Sequence, residues 1–352
     1  MTSRRAYWPG APLAIASAAL FGASTPFAKI LLGSLDPWLL AAILYLGAGL
    51  GLGVFSLARR HLGETGEAPL GRHDLPWLAG IVVFGGMLGP VFLMLGLSVS
   101  SASATSLLLN LEGLATMAIA WVVFRENVDR RLFVGAICIL AGSVVLTWQG
   151  EAFVFGWGGI AIAAACLCWG IDNNLTRKLS AADPVLIAAI KGIVAGAVNL
   201  GLALSAGALV PAPQTVAAAA ILGLFGYGVS LVIFILALRH LGTARTGAYY
   251  STAPFIGAAI SVLVLGDPLT IGLGAAALLM GTGVWLHLSE RHEHAHTHEG
   301  MGHDHRHVHD EHHRHDHGPG DPPGEPHSHR HVHPELAHRH AHYPDLHHRH
   351  DH

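Results

Sequence analysis

The chain has 352 residues, of which 52 % are hydrophobic; 20 Lys and Arg stand against 23 Asp and Glu for a net charge of -3, with 27 histidines and three cysteines. These averages merge two unlike polymers that meet near Leu288: from Glu290 to His352 nine residues are apolar and 23 are histidine, which leaves the preceding stretch about 60 % apolar, well above an ordinary soluble domain. A collagen-like chain, a disulfide framework and a nucleic-acid-binding protein are excluded, and the net charge is itself an average of +3 up to Ser289 and -6 beyond it.

After a short N-terminus (1–10), ten runs are apolar enough to cross about 30 Å of hydrocarbon. They lie near 11–32, 37–58, 75–97, 102–124, 132–148, 156–178, 184–206, 214–238, 246–265 and 269–288. Arg4 and Arg5, Arg59, Arg60 and Arg72, Arg125, Arg130 and Arg131, Arg177 and Lys178, and Arg239 and Arg245 fall in alternate loops, while the intervening loops carry Asp36, Glu151 and Asp267. The positive-inside rule then puts both termini in the cytoplasm. The first run follows two arginines like a signal peptide, but it continues through Pro26 and Lys29 without a convincing cleavage site and reads as a retained span.

Charge within a bilayer is expensive, roughly 2.5–3.5 kcal/mol per residue on insertion scales, so each intramembrane charge needs a reason. Glu112 sits near the middle of the fourth run, with Asn110 two residues before it, and a lone carboxyl there suits proton coupling or a cation site. Asp172 precedes the inner end of the sixth run and Lys191 follows the start of the seventh, at one depth on antiparallel neighbours, which predicts an ion pair acting as static glue or as a gate. Asn173 and Asn174 add polar groups beside it; Tyr249, Tyr250 and Trp169 are candidates for a cavity wall or an interface belt. Lys29 and Arg177, near span ends, read as anchors, and Glu126 and Asp267 as caps. Cys138, Cys166 and Cys168 lie in apolar runs; the last two project about 200° apart on a helix, so all three read as structural. Glycine pairs such as Gly49/Gly53 and Gly192/Gly196 have the spacing for close helix packing.

The pattern repeats. Leu20-Phe-Gly-Ala, Lys29 and Asp36-Pro37 recur as Cys168-Trp-Gly-Ile, Arg177 and Asp183-Pro184, and farther on Gly85 meets Gly226, Gly96 meets Ala237, Thr105 meets Thr246, Glu126 meets Asp267 and Gly142 meets Gly283. Five spans per half force the second half to enter from the opposite side, the inverted repeat of alternating-access carriers, with a site near the midplane where the halves meet. Ala253 beside Pro254 occupies the place of Glu112, and Ser24 and Leu44 those of Asp172 and Lys191, so the predicted site is asymmetric.

The stretch Phe21-Gly-Ala-Ser-Thr-Pro-Phe-Ala-Lys29, its partner Trp169-Gly with Arg177, the acid closing the fourth and ninth spans, and the five-plus-five repeat resemble the EamA family of the drug/metabolite transporter superfamily over residues 11 to 288. The resemblance implies an all-α membrane protein of ten transmembrane helices, halves at 11–148 and 156–288, in the bacterial inner membrane. It also implies a carrier, not an enzyme, that moves small solutes, often outward, coupled to proton or solute gradients, and it names no substrate.

Residues 289–352 read as a disordered cytoplasmic tail. Its metal-ligating candidates are His292, His294, His296 and His298, His303, His305, His307 and His309, and His312, His313, His315 and His317, with further clusters to His352. Imidazoles alternating along an extended chain suit Zn, Ni, Co or Cu, so a divalent transition metal on the tail is the cofactor to consider, although none is required. The match of His292 to His296 to H-E-x-x-H is nearly inevitable in such a tract and predicts no protease. Protonation near pH 6.5 would turn the tail positive and draw it toward anionic lipid. Three functions follow: a small-solute carrier with a metal-binding tail, a divalent-metal exporter fed by the tail, and a membrane-anchored metal buffer or sensor. The expected partners are a small solute, the lipid bilayer, metal ions and a second copy of the chain.

Overall fold

The computed structural model describes residues 10–62, 70–124, 130–147, 156–179 and 182–288, and four strands beyond them. Between Gly10 and Leu288 every described element is a helix. In order they are α1 (Gly10–Leu31), α2 (Pro37–His61), α3 (Leu75–Gly80), α4 (Gly89–Ser98), α5 (Ala102–Leu108), α6 (Asn110–Phe124), α7 (Arg130–Thr147), α8 (Trp157–Leu179), α9 (Pro184–Ser205), α10 (Pro213–Gly223), α11 (Ser230–Tyr250), α12 (Ala253–Ile260) and α13 (Ile271–Leu288). Three π-helical stretches, Ile81–Leu88, Leu224–Val229 and Ser261–Leu265, link or extend them.

Six helical stretches are long and apolar enough to cross a bilayer: Gly10–Leu31, Pro37–Arg59, Arg72–Ser98, Ala102–Val123, Pro184–Ser205 and Pro213–Ala237. Phe133–Leu146, Ala253–Leu265 and Ile271–Leu286 are apolar but shorter. The sixth predicted span, α8, has the length, with 23 residues, but the run Asp172-Asn-Asn174 lowers its hydropathy. Large apolar side chains remain exposed around the outside, among them Val54, Val122, Leu263 and Leu278, as expected of a surface solvated by lipid tails rather than by water.

Local sequence explains the ends. Asp36 and Asp183 each precede a proline that opens a helix, and each places its Oδ1 where two orphan backbone N–H groups donate: Trp38 and Leu39 in α2, Val185 and Leu186 in α9. Asp267 accepts from the Ser103 N–H at 2.8 Å and so caps α5 from a distant loop. Lys29, read as an anchor, donates instead to the carbonyls of Leu97 (2.7 Å), Ser98 (3.2 Å) and Ser100 (2.8 Å), and so caps the end of α4. Glu126 lies outside the described residues, as do the side chains of Arg177, His240 and His287.

α11 is one unbroken run of helical residues, yet the rings of Phe234 and Tyr250 are 4.8 Å apart. A straight helix would separate them by about 24 Å. The run therefore doubles back between these residues, in the interval where the sequence ends one span at 238 and opens the next at 246.

Helices from the two parts of the chain interleave. α2 packs on α9, α7 on α13, α1 on α11 and α12, and α8 on α4 and α6. Glycines permit the closest of these approaches: a Cβ on Gly192 would lie 2.5 Å from the Gly49 nitrogen, and one on Gly196 would lie 2.7 Å from the Leu46 nitrogen. Without a hydrophobic driving force between helices in lipid, such backbone proximity is a main source of helix association. The aliphatic core between them includes Leu39, Leu40, Leu44, Leu93, Met94, Leu107 and Ile162.

In place of a wholly disordered tail, four strands are described: β1 (Glu293–His298), β2 (Met301–His307), β3 (His327–His333) and β4 (Leu336–Ala341). β1 pairs antiparallel with β4 and β2 with β3. The physical reason is the alternation of histidine with other residues, which has the two-residue period of a strand. The register sets histidine against histidine: His294 with His340 and His296 with His338, then His303 with His331, His305 with His329 and His307 with His327. His292, His309, His312, His313, His315 and His317 lie outside the described residues.

Candidate solute site between the helices

A proline sets the frame. In the π-helical stretch 81–88 the Gly89 N–H bonds to the Phe84 carbonyl, so the next carbonyl, that of Gly85, should receive residue 90. Residue 90 is Pro90 and has no N–H. The orphaned carbonyl is taken up by two aromatic donors, the Tyr45 hydroxyl at 2.6 Å and the Trp169 indole N–H at 3.1 Å. One missing backbone donor thereby fixes two rings from two other helices around the same point. Gly85 has to be glycine, because a Cβ there would coincide with the Asp172 carboxylate.

Asp172 and Lys191 form the ion pair that their positions predict. Lys191 Nζ donates to Asp172 Oδ2 at 2.6 Å, with the two side chains 4 % and 6 % exposed. Thr176 supports the other oxygen at 3.4 Å. One residue on, Asn173 donates to Glu112 Oε1 at 2.9 Å and to Thr116 Oγ1 at 3.2 Å, joining α8 to α6. Glu112 is half-buried in the first turn of α6, where the positive end of the helix dipole favours a carboxylate. Just before it the fourth span breaks at Leu109, between α5 and α6.

These groups open onto one cavity of ≈ 50 Å³, lined by Glu112, Asp172, Asn173 and Lys191, by Ser230 and Leu231, and by the rings of Phe21, Tyr45, Trp169, Tyr227, Phe234 and Tyr250. Phe21 is the hub. Its ring centroid is 5.8 Å from Trp169 and 5.9 Å from Tyr227, both edge-on, and 5.6 Å from Tyr250, stacked. Tyr45 meets Tyr227 at 5.5 Å. Such a volume holds a few water molecules and no drug-sized solute, so in this structure the cavity is contracted.

The predicted site residues divide. Glu112, Asp172, Asn173, Lys191 and Tyr250 come together on the cavity, and Trp169 with them. Asn110 does not: its amide donates to the Leu107 carbonyl at 2.9 Å and approaches Met280 Sδ at 3.8 Å. Asn174 faces away too, donating to the carbonyls of Gly170 and Thr116. Tyr249 is 39 % exposed on the outer surface. The sequence reading missed Phe21, Tyr45, Tyr227 and Phe234 as wall residues; each shares its apolar run with one or two other aromatics, such as Phe27, Phe55 and Phe225, so composition alone did not single it out. Cys166 and Cys168 are buried without a disulfide, and among the described residues no group of three or more His, Cys, Asp or Glu is placed to hold a metal.

Comparison with known proteins agrees with this architecture. The model of the EamA-like transporter family matches residues 8–148 and again 156–289. An uncharacterized transporter of Methanothermobacter thermautotrophicus (strain Delta H) is 28 % identical over 288 residues, covering 77 % of this chain and 84 % of that protein. Among solved structures, a crystal structure aligns with TM-score 0.60 at 19 % identity, covering 79 % of this chain and 95 % of its own, which is a likeness of fold.

Proposed function

The chain belongs to the EamA-like transporter family, a multi-pass membrane transporter of the drug/metabolite type, and we propose that it is a secondary carrier exporting a small solute across a bacterial inner membrane by alternating access. In this reading ten spans form two inverted halves, 11–148 and 156–288, with both termini in the cytoplasm. The observation that carries it is the cavity walled by both halves, Phe21, Tyr45 and Glu112 from the first and Trp169, Asp172, Lys191, Tyr227 and Tyr250 from the second.

Exchange symmetry supports the inversion. Gly85 packs on Asp172, and Gly226, its counterpart, packs on Ser24, the counterpart of Asp172. The π-helical stretches 81–88 and 224–229 correspond as well, as do the breaks at Leu109 and at Ser251–Thr252. The interfaces α1 with α11 and α8 with α4 are the same pair with roles exchanged. Broken helices at matched places beside a midplane cavity are the recurrent architecture of inverted-repeat carriers. The tail binds a divalent metal through its histidines in this reading, and serves regulation. Metal as cargo is less well supported, since the cavity offers one free carboxylate and an amide.

The test is flux in proteoliposomes. The full chain and a chain lacking residues 290–352 are expected to carry the same solute at similar rates, with metal sensitivity confined to the full chain. Loss of all activity with the tail would favour the buffer or sensor instead.

Besides the cavity residues, the exchange symmetry fails at a further place that bears on mechanism. Arg59 at the end of α2 pairs with Asp183 at the start of α9, the side chains being 20 % and 11 % exposed, whereas at the repeat-related positions Asp36 stands for Asp183 and Ala206 for Arg59, so the sequence provides no matching arginine. This is a latch on one side only, closing the face read as cytoplasmic. Arg59→Gln is expected to shift the balance of states about fivefold, ~1 kcal/mol for a half-buried pair, toward opening on that face. Hydrogen exchange at the first turn of α9 checks it, and unchanged exchange would dismiss the latch.

A further inference from the structure

The charges lining the cavity do not cancel. Asp172 and Lys191 satisfy each other at 2.6 Å, while the partner recorded for the Glu112 carboxylate among the described residues is the neutral amide of Asn173. With Glu112 ionised the wall carries one surplus negative charge. Around it stand six aromatic rings, whose faces carry negative potential. Phe21, Trp169, Tyr227 and Tyr250 are held by edge and stacking contacts at 5.6 to 5.9 Å, and Tyr45 and Trp169 are further locked by their donation to Gly85. The rings are thus preorganised, so little ordering entropy is lost when a guest arrives.

On the reading of this cavity as the solute site of a carrier, we propose that it selects a monovalent organic cation: an ammonium-type or phosphonium-type centre bearing apolar or aromatic groups, with Glu112 as counter-ion and Phe21, Trp169, Tyr227 and Tyr250 as the walls. Aromatic faces and a carboxylate reinforce one another only for a guest that is both positive and apolar. An anion meets Glu112 and a lysine already engaged. A divalent metal requires several hard or imidazole ligands at once, and of the two carboxylates on the wall one, Asp172, is already engaged by Lys191. A zwitterion would have to open the Asp172–Lys191 pair to seat its own carboxylate. The contracted volume means that the guest is admitted as the halves part, with the break before Glu112 as a place for that motion.

The test uses the purified full chain in lipid nanodiscs, titrated with tetraphenylphosphonium while the fluorescence of its tryptophans and the heat of binding are followed, with benzoate and phenylalanine as competitors. Saturable binding that neither competitor displaces is expected. Glu112→Gln, with an unfolding temperature close to that of the parent, should weaken it about 30-fold or more, and Trp169→Leu about three- to tenfold. Should Glu112→Gln fail to fold, Tyr250→Leu decides, with an expected weakening of about threefold or more. Displacement by benzoate or phenylalanine, or binding indifferent to Glu112 and to the rings, overturns the proposal. If tetraphenylphosphonium does not bind while proteoliposomes move a neutral, zwitterionic or anionic solute, the cation assignment falls and the carrier stands. If no solute of any class is moved, the carrier reading falls with it.

Discussion

Glu112→Gln, reconstituted in liposomes, is expected to lose transport by a factor on the order of 100 or more, while remaining folded in the membrane. The substitution is close to isosteric, and the amide oxygen can still accept from Asn173 Nδ2, so the link between α6 and α8 survives. What disappears is the one surplus charge on the cavity wall, together with the one group there that can exchange a proton without breaking an ion pair. A carrier that uses this charge to hold its solute or to couple to a proton gradient cannot replace it from the symmetry-related position in the second half, because Ala253 stands in that place. Flux measured across a pH gradient is the check: a variant with the parent's rate and pH dependence would remove Glu112 from the mechanism.

How far this site was legible in the sequence depended on helix geometry. Asp172 and Lys191 could be paired from depth alone, since antiparallel neighbours meet at equal distances from the same membrane face, and they lie 2.6 Å apart. Asn110 was grouped with Glu112 because they are two residues apart. That spacing turns the side chains by about 200°, and the structure sends Asn110 toward Met280 while Glu112 meets the cavity. The same argument separates Tyr249 from Tyr250 and Asn174 from Asn173, each pair about 100° apart on its helix. The aromatic wall was less legible, because a Tyr or Phe in an apolar run reads equally as core, lipid belt or cavity. What selects the cavity is tertiary: Pro90 orphans the Gly85 carbonyl, and two rings from distant spans converge on it. Nothing in local composition marks a π-helical stretch, so this convergence was invisible before the fold. The tail's composition suggested chain without order, whereas its period of two favoured strands, and the four strands described follow the period.

Lys191→Met is expected to be the most destabilising single change in the body, by roughly 3–5 kcal/mol, because it strands the Asp172 carboxylate in a buried site with only a 3.4 Å contact from Thr176. The carboxylate occupies the space that a Cβ on residue 85 would need, so it sits against the backbone of the stretch 81–88. Asp172→Asn combined with Lys191→Met removes both charges while keeping similar volumes, and most of the lost stability should return, as it does where buried pairs are replaced together. Thermal unfolding in detergent measures the first effect and the difference between single and double variants measures the coupling. Flux then separates two roles for the pair. If it were static glue, the double variant would regain transport along with stability. The pair lies on the cavity wall, between the stretch 81–88 of one half and α8 and α9 of the other, so it stands where the halves must part. The expected outcome is therefore a stable double variant whose flux stays low, and a double variant transporting at the parent's rate would reduce the pair to glue.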